Sequence, residues 1–97
     1  MAYSTKELPY LTLWKNTASR EDGYVTGIEP GTNYPNNRRI ERKHGRVPSL
    51  SPGASYFMTI DFAIHVGTAE VGQVAQEIAR IQGDRRPLVN EKPEKKE

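Results

Sequence analysis

Glu29 lies between a short apolar run and a series of turn-forming residues in the stretch DGYVTGIEPGTNYPNNRR, residues 22–39. Pro30 fixes its own φ and Gly31 tolerates positive φ, so the backbone after Glu29 has a restricted, turn-like geometry. A carboxylate held in this way can act as a general base when it lies about 2.6–3.2 Å from the proton that it removes. Glu29 is therefore the candidate catalytic residue. The competing interpretation is an ordinary strand-end carboxylate that accepts hydrogen bonds from neighbouring amides.

Four further side chains have types suited to ligand binding, namely Trp14, Asn33, Asn36 and Arg38. The two amides can donate to and accept from ligand hydroxyl groups, and the guanidinium can bind a hydroxyl, a carboxylate or a phosphate. The indole offers a flat surface for the apolar face of a ligand. Each has a structural alternative, because asparagine is common in turns and a tryptophan in a strand usually belongs to a core or an interface.

The candidate residues lie on two predicted strands and in the loop that follows them. In YLTLWK, residues 10–15, apolar and polar residues alternate with the period of two that is typical of a β-strand. YVTGIE, residues 24–29, is rich in β-favouring residues, and Gly27 within it indicates a bulge or a close approach of another segment. Residues 30–45 show no periodicity and are predicted to form a long loop, which in so short a chain is usually functional or disordered.

The second half of the chain predicts one long strand and one helix. SYFMTIDFAIHV, residues 55–66, places six apolar residues on one face at period two, after a turn at SPGAS. Residues 69–82 then follow the helical i, i+3, i+4 spacing, with Thr68 as the N-cap and Gly83 ending the helix. PLVNEKPEKKE, residues 87–97, is charged and contains proline, so this tail is predicted to be disordered.

Composition limits the possible classes of protein. The 97 residues suffice for one small domain, and because 35% of them are apolar the core is expected to be small. The absence of cysteine excludes disulfides and thiolate metal sites and favours the cytoplasm. Two well-separated histidines do not indicate a metal site, so neither a metal nor a cofactor is predicted. No run of residues is long and apolar enough to predict a membrane span.

Four segments, LPYLTLWKNT, DGYVTGIEPGTNYPN, LSPGASY and VAQEIARIQG, together resemble the C-terminal part of a bacterial branch of the aldose 1-epimerase (galactose mutarotase-like) superfamily. The resemblance covers residues 8–86. It implies a mainly β fold, in which a partial β-sandwich, a fragment of the family's supersandwich, is followed by one C-terminal α-helix. The implied organisation is an N-terminal arm at residues 1–8, a partial mutarotase-like domain at residues 9–86 and a disordered charged tail at residues 87–97.

The resemblance also implies a carbohydrate-binding function. In the family's sugar epimerases, a glutamate followed several residues later by a Pro-Asn pair takes the proton of the anomeric hydroxyl, and here Glu29 precedes Pro35 and Asn36. In family members, a histidine that acts as the general acid and an arginine that binds the sugar lie upstream of the matching segment. Because neither His44 nor His65 lies where that acid is expected, we expect little or no turnover by this chain alone. The residues expected to bind the sugar are Trp14, Asn33, Asn36 and Arg38.

Two other functions are compatible with the sequence. Residues 38–46 carry five cations and Glu41, a surplus of four positive charges that can meet phosphate backbones. Nucleic-acid binding is the less favoured alternative, because this segment has no interleaved aromatic residues and no nucleic-acid-binding motif. A structural or interaction domain without chemistry is the other alternative. A homodimer is predicted, because one helix cannot cover the whole apolar face of residues 55–66.

Overall fold

The structure, a computed structural model, describes residues 1–91. The chain divides into two compact units, unit 1 at Met1–Phe62 and unit 2 at Ala63–Glu97. In chain order the elements are β1 (Ala2–Tyr3), β2 (Tyr10–Lys15), β3 (Thr26–Gly31), α1 (Arg38–Lys43), β4 (Ile60–Asp61) and α2 (Thr68–Gln82). All four strands and α1 therefore belong to unit 1, and α2 belongs to unit 2.

Strands β2 and β3 form an antiparallel hairpin and pair over all six residues of each strand. The strand predicted at residues 10–15 is confirmed. The second strand begins two residues later than predicted and continues through Pro30 to Gly31. Gly27 lies directly opposite Trp14 in an unbroken register, so the glycine does not mark a bulge. The atoms that a β-carbon at Gly27 would meet first belong to the side chains of Glu29 and Trp14, not to an approaching backbone.

Strands β1 and β4 form the second antiparallel pair, which joins the N-terminus to residues 60–61. The prediction of a long strand at residues 55–66 is wrong, because only Ile60–Asp61 forms a strand. A strand needs a neighbour to pair its backbone N–H and C=O groups. Strand β1 supplies only two residues of such a neighbour, and no other described segment pairs with residues 55–66.

The first eight residues are attached to the rest of unit 1 at several points. The hydroxyl of Tyr56 donates a hydrogen bond to the backbone oxygen of Glu7, and the Glu7 carboxylate accepts from the backbone N–H of Thr59 at 3.1 Å. Leu8 is the buried apolar residue of the described chain, with 2% of its surface exposed. The segment predicted to be an N-terminal arm thus contributes a strand and the buried leucine to unit 1.

A short helix, α1, lies inside the segment predicted to be a loop. Asn37 caps it, because the side-chain oxygen of Asn37 accepts a hydrogen bond from the backbone N–H of Arg39 at 2.9 Å. Gly45 follows the helix with a φ of 67°, a conformation that glycine adopts without steric cost. The prediction of a long loop at residues 30–45 is therefore wrong over residues 38–43.

Unit 2 is built around α2, whose bounds nearly coincide with the predicted helix at residues 69–82. Gly67 rather than Thr68 occupies the N-cap position, and it makes no side-chain cap. Glu70 acts in place of a cap, since its carboxylate accepts from the backbone N–H of Val66 at 2.8 Å. Gly83 ends the helix with a φ of 57°, as the sequence predicts.

The described chain is 23% helix and 18% strand. A few antiparallel strands form two small sheets and the predicted C-terminal helix is confirmed, whereas these proportions do not show a mainly β fold or a sandwich. Of the predicted disordered tail, residues 87–90 lie in neither a helix nor a strand, and residues 92–97 lie outside the described residues.

The homodimer is predicted through the apolar face of residues 55–66, which do not form a long strand. One face of the hairpin is also apolar and exposed, and it offers a different surface to a second copy. Leu11, Leu13 and Ile28 share this face and are 46%, 56% and 55% exposed. Among residues 1–91, each strand of the hairpin also has one edge without a partner. Exposed apolar residues beside open strand edges favour pairing with another chain, and a second copy supplies an identical surface.

We therefore expect the protein to self-associate through the hairpin. Sedimentation velocity over a range of concentrations should show a species of twice the chain mass. Leu13→Lys should shift the equilibrium toward the monomer, because it places a charge in the apolar face. The matched control is Phe57→Lys, which changes an 82% exposed side chain outside every strand. A monomer at all concentrations, or an equal response to both variants, would contradict the prediction.

Candidate functional site

One face of the hairpin brings Trp14 and Glu29 together. Residues directly opposite each other in an antiparallel pair project to the same side of the sheet, and alternate pairs project to the same face. The pairs on this face are Tyr10 with Gly31, Thr12 with Glu29, and Trp14 with Gly27. We call these six residues the Glu29 face. The candidate base therefore lies between two glycines on its own strand and opposite Thr12, which has an aromatic residue on each side of it on this face.

Gly27 makes room for the Glu29 carboxylate. A β-carbon at residue 27 would lie 2.5 Å from Oε1 of Glu29 and 3.2 Å from Cβ of Trp14, closer than real side chains approach. The carboxylate thus lies over the Cα of Gly27, next to the base of the Trp14 side chain. Both side chains are exposed, and within residues 1–91 the Glu29 carboxylate makes no hydrogen bond or ion pair. Its oxygens are therefore free to accept from a ligand.

Two tyrosine rings connect the Glu29 face with the loop after β3. The ring of Tyr10 lies 4.5 Å from the ring of Tyr34, centroid to centroid, at an interplanar angle of 57°. The guanidinium of Arg46 lies over the other tyrosine, 5.2 Å from the centroid of the Tyr34 ring. These contacts fix the loop against the end of the hairpin, because tilted aromatic pairs and cation–π contacts have preferred geometries.

A cavity of about 380 Å³ opens in this loop. Its lining residues are Thr32, Asn33, Tyr34, Pro35, Asn36, Arg38, Val47 and Pro48. Three of the four residues predicted to bind a ligand therefore line one cavity. Glu29 and Trp14 are not among the lining residues and lie on the Glu29 face instead. The predicted site thus consists of two neighbouring parts, which the contact between Tyr10 and Tyr34 connects.

The two candidate asparagines are partly engaged within the loop. The side-chain oxygen of Asn33 accepts from the hydroxyl of Thr32 at 3.3 Å, and its Nδ2 donates to the backbone oxygen of Tyr34 at 2.8 Å. Nδ2 of Asn36 donates to the carboxylate of Glu41 at 2.8 Å. Each amide therefore retains only part of its hydrogen-bonding capacity for a ligand.

Glu41, which sequence reasoning did not select, is the centre of this loop. Its side chain is fully buried, and its carboxylate accepts four hydrogen bonds. Nε and Nη2 of Arg46 each donate at 2.7 Å, one to each oxygen, and the backbone N–H of Tyr34 donates at 3.2 Å. Nδ2 of Asn36 completes the set. Glu41 thus joins α1 to the loop that forms the cavity.

The hydrogen bonds from Arg46 lower the pKa of Glu41 from its ordinary value of 4.5 to about 2. Burial acts in the opposite direction, and the donors from Asn36 and Tyr34 add to the effect of Arg46. The same pair raises the pKa of Arg46 above its usual value. Glu41 and Arg46 are therefore both charged in the folded protein at neutral pH.

This depressed pKa predicts a loss of stability in acid. Below pH 4.5 the unfolded chain binds a proton at Glu41 that the folded chain resists until about pH 2, so the free energy of unfolding falls across this interval. We expect the melting temperature of unit 1 to fall steadily as the pH is lowered over this range. The backbone amide signals of Tyr34 and Arg46 in NMR spectra report on the unfolding. Glu29→Gln should retain the acid dependence, because that carboxylate is unpaired. A melting temperature that stays constant between these pH values would contradict the assignment.

The described residues hold no other group suited to chemistry. His44 follows α1 directly, and His65 belongs to unit 2, so no histidine lies on the Glu29 face. Within residues 1–91 no cluster of three or more His, Asp or Glu side chains is placed to hold a metal ion. In the same part of the chain, neither helix has the length and hydrophobicity that a membrane-spanning segment requires.

Comparison with known families places unit 1 in a galactose mutarotase-like class of proteins. The family described as "Domain of unknown function (DUF4432)" matches residues 1–64, which is 64 of the 97 residues, and the chain belongs to this family. The match contains the whole of unit 1 and ends before α2. Comparisons with curated proteins and with solved structures gave no match.

Proposed function

We propose that unit 1 binds a carbohydrate on the Glu29 face, as part of an aldose 1-epimerase-like site in a partial β-sandwich. The observation that carries the proposal is the placement of Trp14 and the unpaired Glu29 carboxylate on one exposed face, with only glycines beside the carboxylate. A sugar ring has an apolar face and a rim of hydroxyl groups. An exposed indole beside a free carboxylate is complementary to both.

Membership of a galactose mutarotase-like family supports this proposal over a purely structural role. The family resemblance assigns the base to Glu29, and the free carboxylate of the structure suits that role. The base would accept the proton of the anomeric hydroxyl, which opens the sugar ring when an acid protonates the ring oxygen. Because the Glu29 face carries no histidine to serve as that acid, we propose binding with little or no turnover by this chain alone.

The basic helix α1 offers the less favoured alternative of nucleic-acid binding. Arg46 does not contribute to it, because its charge is paired with Glu41. The remaining cations of α1 are the exposed side chains of Arg38, Arg39, Arg42 and Lys43. Helix α1 has only six residues, and none of them is aromatic, so it offers no surface on which nucleic-acid bases can stack.

Fluorescence of the single tryptophan tests the proposed function directly. Titration with D-glucose or D-galactose should change the emission of Trp14 in a saturable manner. Trp14→Ala should weaken binding, measured by calorimetry or NMR, by roughly tenfold, because it removes the stacking surface. Phe57→Ala is the matched control, since that aromatic side chain is 82% exposed and lies outside the hairpin. Absence of saturable binding by the wild-type chain would overturn the proposal.

A further inference from the structure

The cavity in the loop after β3 has one charged lining residue, Arg38. The other polar side chains that line it are two amides, a threonine and a tyrosine, and the amides and the threonine hydrogen-bond within the loop or to Glu41. Arg38, in contrast, makes no hydrogen bond or ion pair with any side chain of residues 1–91. Its guanidinium therefore keeps all five N–H donors for a ligand.

No acidic group offsets the positive charge of Arg38. The nearest carboxylate in sequence, that of Glu41, is fully buried and is bound by Arg46 through two hydrogen bonds of 2.7 Å. The other charged residues of α1, Arg39, Arg42 and Lys43, are all basic and exposed. The charged side chain of the cavity lining is therefore a cation without an ion-pair partner among residues 1–91, and such a group attracts an anionic ligand group.

The remaining walls of the cavity are apolar. Pro35, Val47, Pro48 and the ring of Tyr34 surround the polar groups. The cavity volume of about 380 Å³ lies within the range of small-molecule sites, roughly 300–1,000 Å³. An apolar wall with one guanidinium suits a ligand that joins an anionic group to a ring-sized body.

We propose that this cavity binds the anionic group of a sugar derivative, a carboxylate or a phosphate, with Arg38 as the recognising residue. The proposal rests on the proposed function, because it takes the ligand to be a sugar. It goes further in assigning a second subsite and a class of ligand. The contact between Tyr10, on the Glu29 face, and Tyr34, in the cavity lining, makes the two parts neighbours.

An NMR titration of the full chain tests the assignment. The ligands are D-glucose, D-glucuronate, D-glucose 6-phosphate and inorganic phosphate, each added to the wild-type protein and to three variants. We expect at least one of the two anionic sugars to bind roughly tenfold or more tightly than glucose, because a guanidinium forms strong, charge-assisted hydrogen bonds with anions. Comparison of the uronate with the phosphate identifies which anion the cavity prefers, and inorganic phosphate alone should bind more weakly than the preferred sugar.

Arg38→Gln should weaken binding of the preferred anionic sugar roughly tenfold or more, and so abolish its preference over glucose. The matched control is Arg39→Gln, which removes the same charge from the next position of α1, outside the cavity lining. Arg39→Gln should retain the preference. Arg38→Lys should restore part of it, since a lysine keeps the charge but loses the paired geometry of the guanidinium. Because Arg38 is exposed, all three variants should give the spectrum of the folded protein.

The outcomes separate this proposal from the proposed function. Equal affinity of the wild-type chain for glucose and both anionic sugars would overturn the anionic subsite and leave carbohydrate binding intact. An equal loss in Arg38→Gln and Arg39→Gln would also overturn it, because the general positive charge of α1 would then account for the binding. Inorganic phosphate binding as tightly as the sugar phosphate would show an ion site without sugar recognition. Failure of every sugar to bind would overturn both proposals.

Discussion

Glu41→Gln is expected to lower the melting temperature of unit 1 by about 10 °C or more, the largest effect of any single substitution considered. The change keeps the shape of the side chain and removes its charge. The guanidinium of Arg46, whose side chain is only 14% exposed, then loses the carboxylate that binds it through two hydrogen bonds. The single side-chain oxygen of the new glutamine cannot replace the two carboxylate oxygens. Its N–H groups would also face the N–H donors that bind Glu41 in the wild type.

Glu77→Gln serves as the control for this prediction. Glu77 also pairs with an arginine, Arg80, but at 3.9 Å and with both side chains largely exposed, so its loss should change stability little. Thermal unfolding and the dispersion of amide signals measure the two effects. Replacing both members of the buried pair, in Glu41→Gln with Arg46→Met, should restore part of the lost stability, because no buried charge then remains unpaired. A melting temperature of Glu41→Gln within about 2 °C of the wild type would contradict the role given to this pair.

The second large effect concerns catalysis of anomer exchange. We expect the wild-type chain to catalyse exchange of glucose anomers at no more than a trace rate, because a missing acid partner removes about 10²–10⁴-fold of rate. Added imidazolium should raise the rate, since it can supply the proton that no histidine of the Glu29 face supplies. In Glu29→Gln, which retains the face but lacks the base, imidazolium should raise the rate no further than it does in free solution.

Exchange spectroscopy by NMR measures these rates. The Glu29→Gln protein in the same buffer is the blank, because imidazole also catalyses the reaction in free solution. Equal rates for the wild type and Glu29→Gln with imidazole would show that Glu29 is not a base. Rapid exchange without any added acid would show that another group of the chain already serves as the acid, and would contradict the expectation of little turnover.

The hairpin was predictable from sequence because its signal is local. The alternation in residues 10–15 needs no knowledge of the rest of the chain, and the strand was found with its observed bounds. Residues 55–66 show an equally regular alternation but form only a two-residue strand. Periodicity records which face of a segment is apolar, whereas a strand also requires a partner, and the partner here is only Ala2–Tyr3.

The candidate site was predictable only in part for a related reason. The residue types of Glu29 and Arg38 mark them as groups that bind or react, and both are exposed and unpaired within the described chain. Glu41 gave no signal, because it stands among four basic residues of a segment that reads as a solvated loop. Its importance depends on the turn that brings Arg46, Asn36 and the backbone of Tyr34 around one carboxylate. Such a contact set is a property of the folded loop.

The most direct test of the account is an NMR titration of the isotope-labelled chain with D-glucose and D-galactose. Binding on the Glu29 face predicts saturable shifts at the indole N–H of Trp14 and at the backbone amides of Thr12 and Gly27. It also predicts nuclear Overhauser contacts between sugar ring protons and the Trp14 indole. Saturable shifts confined to residues outside the hairpin, or no shift at the highest sugar concentrations, would contradict the central claim that this face binds a carbohydrate.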